Sequence, residues 1–402
     1  GNRVAMSTFD KEYETAVLII GGGVTGTGIM RDLALRGFHC LLIERKDLNA
    51  GASGGNHGLL HSGGRYASTD WETAAECRIE SNILKKLAPE CIDDCGGLFV
   101  AVEGDDPDFA EHFPEHCAKA GIDCHSLSPA EAREKEPGLS EKIFAAYSVP
   151  DATVDPFHIT LGNVNHAQQL TDSQYLPHTE AAEFEIEDGL IQSALCRDIR
   201  SGERVRIRAK QVVNATGAWA KNVARLAGCT DVDLLYAKGT LIISNSRITN
   251  GVVNRLRSPG DGDILVPGGT VSILGTTSDR VDSPEGLRPT VDEVDHILNE
   301  GIPMLPGLQN TRFIRAFCGV RPLLQSSEAG ADGRKASRGF RLFNHEDQGL
   351  SNFASLVGGK LTTYRLMAEK TGDLVAFRMG KDVPCKTASE PLPAGDSVRW
   401  TE

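Results

Sequence analysis

The strongest pattern in the chain is an apolar run that leads through a glycine turn into a helix. Residues 16–20, AVLII, are apolar throughout, which is typical of a strand buried on both faces. The turn at residues 21–26, GGGVTG, is followed by a helical pattern that ends near Gly37. A second apolar run, at residues 40–43, ends in Glu44. This order of strand, turn, helix, strand and acid predicts a βαβ unit that binds a dinucleotide.

The spacing of the glycines gives each of them a separate role. Gly21 permits a tight turn, Gly23 lets the backbone approach a pyrophosphate, and Gly26 lets the helix pack closely on the strand. The helix N-terminus supplies amide donors and the positive end of its dipole to the phosphates. Glu44 follows at the distance where an acid binds a ribose hydroxyl. A glycine turn without a ligand is the alternative, but the complete unit with its acid favours a dinucleotide site.

Hydrophobic periodicity predicts the remaining elements. Residues 181–193 alternate in polarity around Asp188-Gly189, which predicts a hairpin. Helices are predicted at 72–87, 108–120, 128–136, 155–169, 219–227, 292–304 and 362–379. Strands are predicted at 98–102, 205–213, 241–244, 264–266, 271–274, 312–320, 340–343 and 353–357.

These elements predict an α/β fold with an α+β substrate domain. One βαβ unit begins the chain, pieces of a similar pattern return later, and β-rich segments lie between them. This order favours a Rossmann-like flavin-binding domain built from separated segments, with a β-rich antiparallel-sheet substrate domain. The FAD-binding domain is predicted at 14–96, 150–228 and 313–386, the substrate or cap domain at 97–149 and 229–312, and flexible ends at 1–13 and 387–402.

Charge and composition narrow the function. The formal net charge is −13 over 402 residues, which argues against a nucleic-acid partner, because such proteins usually carry basic patches. An anionic substrate would therefore need a local cluster of Arg and Lys. No apolar run approaches the ~18 residues of a membrane span. None of the ten cysteines forms a CxxC pair, which favours reduced thiols in a cytosolic protein.

One short motif resembles a metal site. Residues 112–116, HFPEH, have the HxxEH spacing of some metalloproteases. Pro114 is unfavourable inside the helix that such a site requires, and no third ligand is apparent. We therefore predict no metal site.

Four further stretches combine glycines with reactive or charged side chains. Residues 53–66, SGGNHGLLHSGGRY, follow Glu44 closely and are too glycine-rich for a regular element, so their backbone can lie against a flat ring system. Residues 319–323, GVRPL, deliver an arginine at a strand end, where a proline stops the strand and the guanidinium can bind an anion. Residues 357–365, VGGKLTTYR, and 212–219, VVNATGAW, are a second and a third strand that run into a glycine turn. A solvated loop or a surface arginine is the alternative for each stretch taken alone.

Taken together, these stretches resemble the FAD-dependent glycerol-3-phosphate dehydrogenases of the D-amino-acid oxidase-like flavoprotein superfamily. The resemblance runs from about residue 14 to residue 385 and is carried by IIGGGVTGTGI, GNHGLLHSGGRY, VNATGAW, GTTS, GVRPL and GGKLTTYR. Within this family, GNHGLLHSGGRY and DILVPGG are most similar to the large catalytic subunits of the anaerobic enzymes. Aerobic single-subunit members tend to carry a His after Lys-Gly-Ser, whereas residues 238–241 here are KGTL, so no role of that His is carried over.

The resemblance implies non-covalently bound FAD and a set of residues that hold it. The implied cofactor-binding residues are Gly21, Gly23, Val24, Thr25, Gly26, Glu44, Arg45, Ser53, Asn56, His57, Gly58, Leu59, Ala181, Ala215, Gly217, Trp219, Gly319, Arg321, Gly359, Lys360, Leu361 and Thr362. The implied substrate pocket consists of His61, Arg65, Tyr66, Arg321 and Lys360.

The implied reaction is the oxidation of sn-glycerol 3-phosphate to dihydroxyacetone phosphate. Hydride would leave C2 for flavin N5 while a base takes the proton of the C2 hydroxyl. His61 is the favoured base, with Lys360 or a bound water as alternatives, and Arg65 and Arg321 would orient the phosphate. The family implies that electrons pass to a quinone-linked acceptor through partner subunits, and it implies a cytoplasmic protein that contacts the membrane at most peripherally, through those partners.

Two other functions stay open from the sequence. A related flavin enzyme that oxidises an amino acid or a 2-hydroxy acid would share the fold. A non-catalytic FAD-binding subunit of an electron-transfer complex is the second alternative. The large anaerobic subunits usually continue into a cysteine-rich domain that resembles iron–sulfur-binding modules, whereas this sequence ends at Glu402, as a truncated or a shorter relative would.

Overall fold

The computed structural model describes residues 8–48, 56–325 and 339–393. We number its strands and helices along the chain. The strands are β1 Lys11–Ile20, β2 Cys40–Ile43, β3 Leu59–Leu60, β4 Ile92–Asp93, β5 Gly97–Val102, β6 His125–Leu127, β7 Ile143–Val149, β8 Ala152–Val154, β9 Gln174–Leu176, β10 Thr179–Glu187, β11 Leu190–Asp198, β12 Arg204–Asn214, β13 Leu234–Ser244, β14 Val252–Arg255, β15 Ile264–Gly268, β16 Val271–Gly275, β17 Asp279–Val281, β18 Phe313–Leu324, β19 Phe340–Asn344 and β20 Phe353–Gly358. The helices are α1 Val24–Leu35, α2 Trp71–Leu87, α3 Pro107–Ala120, α4 Pro129–Lys135, α5 Pro156–Thr171, α6 Ala220–Leu226, α7 Val291–Gly301 and α8 Tyr364–Arg378.

The first sheet has eight strands and is parallel at its centre, in the order β9-β2-β1-β12-β20. The continuous apolar run of β1 is explained by helices on both faces. Val17 and Ile19 pack with α1, α5 and α8 on one face, while Leu18 and Ile20 pack towards α6 on the other. The predicted βαβ unit and the α/β fold class are therefore confirmed.

The second sheet has nine strands and is largely antiparallel, with one parallel pair between β5 and β14. Helices α4 and α7 contribute to the core on one of its faces, where Ile242 and Leu265 meet Ala132 and Ile297. A small third sheet joins β3, β8 and β4. The 97–149 and 229–312 segments predicted as the cap supply eight of the nine strands of the second sheet.

Strand β18 differs from its prediction in two ways. It pairs with β13 along its whole length, and Leu324 lies opposite Leu234. Residues 313–324, which the sequence assigned to the FAD-binding domain, are therefore hydrogen-bonded into the second sheet. Pro322 lies within the strand opposite Tyr236, so the expectation that it ends the strand is wrong. In the described part of the chain β18 pairs only with β13, and a proline is tolerated where its missing N–H faces an unpaired side.

Two more predictions need correction. Residues 11–13 of the predicted flexible start are already part of β1 and pair with residues 205–207 of β12. In the predicted flexible end at 387–402, the N–H of Leu392 donates to Leu87 O at 2.8 Å, so this residue is tied to the end of α2. Helix α3 also continues through Pro114, so that proline does not prevent a helix there.

The longest described helix, α2, has 17 residues, and none of the described helices has the length and apolar character of a membrane span.

A buried ion pair ties α2 to α8. The Arg365 guanidinium donates from Nε and Nη2 to the two carboxylate oxygens of Glu80, each at 2.8 Å, and both side chains are almost fully buried. Arg365 also donates to Glu369 and to Thr387, so it connects the end of the chain to the same cluster. Helix α8, which follows the glycine turn at residues 358–360, is thereby fixed against α2.

We predict that Glu80→Gln destabilises the fold by about 3 kcal/mol, because it leaves a buried guanidinium without its bidentate partner. The measurement is the denaturant midpoint of the purified protein at constant flavin saturation. Glu111→Gln, at an exposed position of α3, is the matched control and should change stability by less than about 0.5 kcal/mol. Equal midpoints for the two variants would contradict a structural role for the pair.

Candidate active site

A cavity of ≈ 1410 Å³ lies where the carboxyl ends of β1, β2, β12 and β20 face the second sheet. Ligands of open α/β sheets bind at this edge. The cavity is larger than the pockets of ~300–1,000 Å³ that hold drug-sized molecules. The sequence-predicted residues that line it are Gly21, Gly23, Val24, Thr25, Glu44, Arg45, Asn56, His57, Leu59, His61, Arg65, Tyr66, Ala181, Ala215, Gly217, Trp219, Arg321, Gly359, Lys360 and Leu361.

Two predicted glycines lie behind the lining. A Cβ at Gly26 would stand 1.9 Å from Gly21 O, so Gly26 permits the close contact between the turn and α1. Gly58 has a φ of +72°, and a Cβ there would stand 2.7 Å from Val154 O. Both residues shape the backbone of the cavity and do not themselves face it.

Three further predicted residues also lie away from the lining or outside the description. Gly319 pairs with Gly239 in the second sheet. The Thr362 hydroxyl accepts the backbone N–H of His61 at 3.1 Å, so it supports the His61 segment from behind. Ser53 lies outside the described residues.

The first glycine turn forms a cradle for a diphosphate. Gly21 has a φ of +121°, and a Cβ there would stand 2.1 Å from Ala215 O, so only glycine fits. Helix α1 begins after Gly23 with no side-chain cap and no acidic residue in its first turn, which leaves its amides and its dipole to an anion. The Glu44 carboxylate accepts N–H groups from Gly22 at 3.0 Å and Lys46 at 2.7 Å and so lies at the rim of the cavity. These features fit the ADP half of FAD.

Aromatic and cationic side chains form the wall beyond the cradle. The Arg45 guanidinium lies 4.4 Å from the ring centroid of Trp219, as in a cation–π contact. The Trp219 indole donates to Glu285 Oε1 at 2.7 Å, which fixes the ring. Gly217, with a φ of +60°, turns the chain at the end of β12 so that Trp219 faces the cavity.

Three of the predicted reactive residues lie together in the cavity lining. Lys360 Nζ lies 4.6 Å from the ring centroid of Tyr66, and the His61 ring lies 5.3 Å from the same centroid. Gly358 and Gly359 both have positive φ and bring Lys360 to this position. The glycine-rich loop and the last glycine turn, far apart in sequence, thus meet at one place.

The two predicted phosphate-binding arginines are both anchored. Arg321 Nη2 donates to Thr277 O at 3.1 Å. Arg65 Nη1 donates to Asp263 Oδ2 at 3.1 Å, and its Nη2 donates to Gly260 O at 3.2 Å. With Lys360, these arginines supply the local positive charge that an anionic substrate needs in a chain of net charge −13.

His57 is a neutral histidine at neutral pH. Burial lowers the pKa of His57 from 6.5 to about 3, and the nearby Arg65 and Arg321 charges contribute to this decrease. Its Nε2 atom is withdrawn from solvent in the cavity wall. A histidine with so low a pKa is a weak proton acceptor and suits a binding role better than a basic one.

Several lining residues were missed by sequence reasoning. Asp70 accepts the N–H of Thr73 as the cap of α2, a signal that the sequence does offer directly after the glycine-rich loop. Ser258, Pro259 and Thr276 come from turns of the second sheet, and no local pattern connects them with the first sheet. The missed lining residues that follow the glycine-rich loop or come from the second sheet are Thr69, Asp70, Thr73, Ser258, Pro259, Ile264 and Thr276.

Among the described residues, one group of potential metal ligands comes together. Atoms of Cys229, Asp231 and His345 lie within 4.8 Å of one another. His345 Nδ1 lies 3.2 Å from Asp231 Oδ1, and its Nε2 bonds to Ser355 Oγ at 2.7 Å. Burial lowers the pKa of His345, which favours its neutral form, and none of these three residues lines the cavity.

Comparison with known proteins shows the family to which the chain belongs. A family model described as FAD dependent oxidoreductase (DAO) matches residues 16–372. Among curated proteins, two A subunits of anaerobic glycerol-3-phosphate dehydrogenases are similar to the chain. The one from Escherichia coli K12 is 44% identical over 391 residues, which cover 96% of this chain and 71% of that protein. The one from Haemophilus influenzae is 42% identical over 96% of this chain and 68% of its own length.

A solved structure shows the same architecture. The glycerol-3-phosphate dehydrogenase from Bacillus halodurans, complexed with FAD, superposes with a TM-score of 0.73 at 25% identity, over 95% of this chain and 68% of that one. The fold and the site thus define the class as FAD-dependent oxidoreductases. Within that class, the chain belongs to the family of the anaerobic glycerol-3-phosphate dehydrogenase A subunits.

The depressed pKa of His57 predicts a specific loss of stability in acid. Because the unfolded chain binds a proton at this side chain below pH 6.5 and the folded chain does so only near pH 3, the contribution of His57 to folding decreases as pH falls between these values. The unfolding free energy of every form decreases as the pH falls from 7 to 5. For His57→Asn this decrease should be smaller by about 1–2 kcal/mol than for the unsubstituted protein, because the substituted side chain does not titrate.

The measurement is the unfolding free energy at both pH values with flavin-saturated protein. His125→Asn, at a strongly exposed position, is the control and should follow the unsubstituted protein. Parallel pH profiles for His57→Asn and the unsubstituted protein would show that His57 is not held neutral.

Proposed function

We propose that this protein oxidises sn-glycerol 3-phosphate to dihydroxyacetone phosphate. The observation that carries the proposal is that Arg65, Arg321 and Lys360 line the same cavity as the dinucleotide cradle. FAD, when bound, supplies the hydride acceptor for such an oxidation. The names of the relatives that are 42% and 44% identical support the same substrate.

The arginines support recognition of a phosphate dianion. A guanidinium has five N–H donors, and Arg321 uses one of its two terminal nitrogens to bind Thr277 O. The positive charges of Arg321 and Lys360 suit charge-assisted hydrogen bonds to phosphate oxygens. The phosphate would be oriented at one end of the substrate while C2 is placed for reaction.

His61 is the residue that best fits the role of proton acceptor. Its backbone is fixed by Thr362, and its ring lies beside Tyr66 in the cavity. The second histidine of the loop, His57, is a poor base because its pKa is about 3. Lys360 or a bound water remains an alternative acceptor for the proton of the C2 hydroxyl.

The family relationship extends the proposal to partners and location. The relatives are named as A subunits, so we infer that this chain is the substrate-oxidising member of a multi-subunit enzyme. Electrons would pass through partner subunits to a quinone-linked acceptor. The protein would then act in the cytoplasm and would reach the membrane only peripherally, through those partners.

One prediction from the proposed function concerns the substrate. Anaerobic addition of sn-glycerol 3-phosphate should bleach the flavin absorbance band of the purified protein, because hydride transfer reduces the flavin. Free glycerol, an amino acid and a 2-hydroxy acid serve as controls and should leave the band unchanged. Bleaching by an amino or hydroxy acid would favour a related flavin oxidase, and no bleaching by any of them would favour a non-catalytic subunit.

The second prediction concerns the phosphate. Arg321→Ala should lower kcat/KM by about 100-fold or more, because it removes a charged partner of the dianion, and it should retain bound flavin. Arg315→Ala, six residues earlier on an exposed position of β18, is the matched control and should retain full activity. Loss of flavin in Arg321→Ala, or undiminished activity, would exclude a phosphate-binding role.

A further inference from the structure

A fully buried carboxylate lies directly behind the cavity. Asp263 stands at the start of β15, in the DILVPGG stretch, and its side chain is inaccessible to solvent. Its Oδ2 accepts from Arg65 Nη1 at 3.1 Å and from the Gly260 N–H at 2.7 Å. Its Oδ1 accepts from Arg257 Nε at 2.9 Å. Both oxygens of one carboxylate thus connect two arginines and a turn.

The groups held by Asp263 differ in where they face. Arg65 lines the cavity, and so do Ser258 and Pro259, which precede the bonded Gly260. Asp263 itself is absent from the lining. It therefore contacts the cavity wall at two places without facing a ligand in the cavity.

The bonds to Asp263 leave one part of the Arg65 guanidinium available. Of its five N–H donors, one on Nη1 binds Asp263 and one on Nη2 binds Gly260 O, at 3.2 Å. The guanidinium is rigid and planar, so fixing two of its nitrogens fixes the direction of the others. Lys cannot be oriented in this way, because its ammonium is a point charge on a flexible stem.

We propose that Asp263 is a positioning residue for the substrate phosphate, acting through Arg65 and the 258–260 turn. This inference rests on the proposed function, since it requires a substrate with a phosphate group. It adds a buried anion, directly before β15, to a site whose cations come from the glycine-rich loop, β18 and the turn at residues 358–360. Burial of a charge is costly unless it is paired and hydrogen-bonded. Here Oδ2 of the carboxylate holds Arg65 and the Gly260 N–H at the cavity wall, and Oδ1 is paired with Arg257.

Orientation and charge make opposite predictions for the loss of this carboxylate. Arg65 and Arg257 carry two positive charges, and Asp263 and Glu300, which binds Arg257 at 2.8 Å, carry two negative ones. Replacing Asp263 by Asn leaves one unbalanced positive charge near the phosphate, which by Coulomb attraction alone would tighten binding. Loss of orientation would weaken it. The sign of the change in affinity therefore separates the two effects.

The decisive variant is Asp263→Asn, measured by anaerobic flavin reduction over a series of sn-glycerol 3-phosphate concentrations. The half-saturating concentration should rise by about 10- to 100-fold, while the limiting reduction rate changes by less than about threefold. This split is expected because the phosphate ester on C3 takes no part in the bonds that change at C2. Flavin content should be unchanged, since Asp263 does not contact the dinucleotide cradle.

Asp105→Asn is the matched control. Arg255 of β14 donates to Asp105 from Nε at 2.6 Å and from Nη2 at 2.8 Å, and both side chains are buried. Neither residue lines the cavity. A loss of stability common to buried pairs will appear in both variants. Only Asp263→Asn should raise the half-saturating concentration.

A double substitution tests whether Asp263 acts through Arg65. Asp263→Asn in an Arg65→Ala background should weaken substrate binding no more than about threefold beyond Arg65→Ala alone. Independent effects that multiply would overturn the assignment. If Asp263→Asn does not yield folded flavoprotein, Arg65→Lys provides the test, because it keeps the charge and removes the fork, and an unchanged half-saturating concentration would overturn the inference.

The outcomes separate this inference from the proposed function. If the unsubstituted protein is not reduced by the phosphate ester, the proposed function fails and the inference falls with it. If the unsubstituted protein is reduced and Asp263→Asn binds equally well or more tightly, only the positioning role of Asp263 is overturned.

Discussion

The close approach of the first glycine turn to the end of β12 is the constraint on which the rest of the site depends. The two backbones lie so near that a methyl group on Gly21 would stand 2.1 Å from Ala215 O. This approach places the N-terminus of α1 and the rim residue Glu44 around one opening at the carboxyl edge of the sheet. Helices on both faces stabilise the parallel strands that hold the turn in place.

The second sheet contributes one of the cavity's cations, Arg321 of β18, while Arg65 and Lys360 come from a loop and from the turn after β20. The chain is strongly acidic, yet Arg65, Arg321 and Lys360 all line its cavity. Each of these cations is positioned by a neighbour of a different kind: a buried carboxylate for Arg65, a backbone carbonyl for Arg321 and an aromatic ring for Lys360. Fixed donors cost little reorganisation when an anion binds, which supports the proposed recognition of a phosphate by this wall.

Local patterns predicted much of the architecture because they reflect local physics. The apolar run of β1 and the glycine turn into α1 appear in the structure as predicted, and the helix predicted at 128–136 appears as α4. Errors arose where pairing partners are distant in sequence. The membership of β18 in the second sheet depends on β13, about eighty residues earlier, and nothing within residues 313–324 indicates it.

The sequence by itself determined the class of the protein, its dinucleotide cradle and the residue types of its site, since spacing and glycine placement act over short distances. The tertiary structure alone decided which of those residues meet. It joined His61 and Lys360 around Tyr66, lowered the pKa of His57 by burial and nearby arginines, and placed Asp263 behind Arg65. Such contacts join segments separated by hundreds of residues, and burial, which sets their electrostatics, exists only once both sheets have packed.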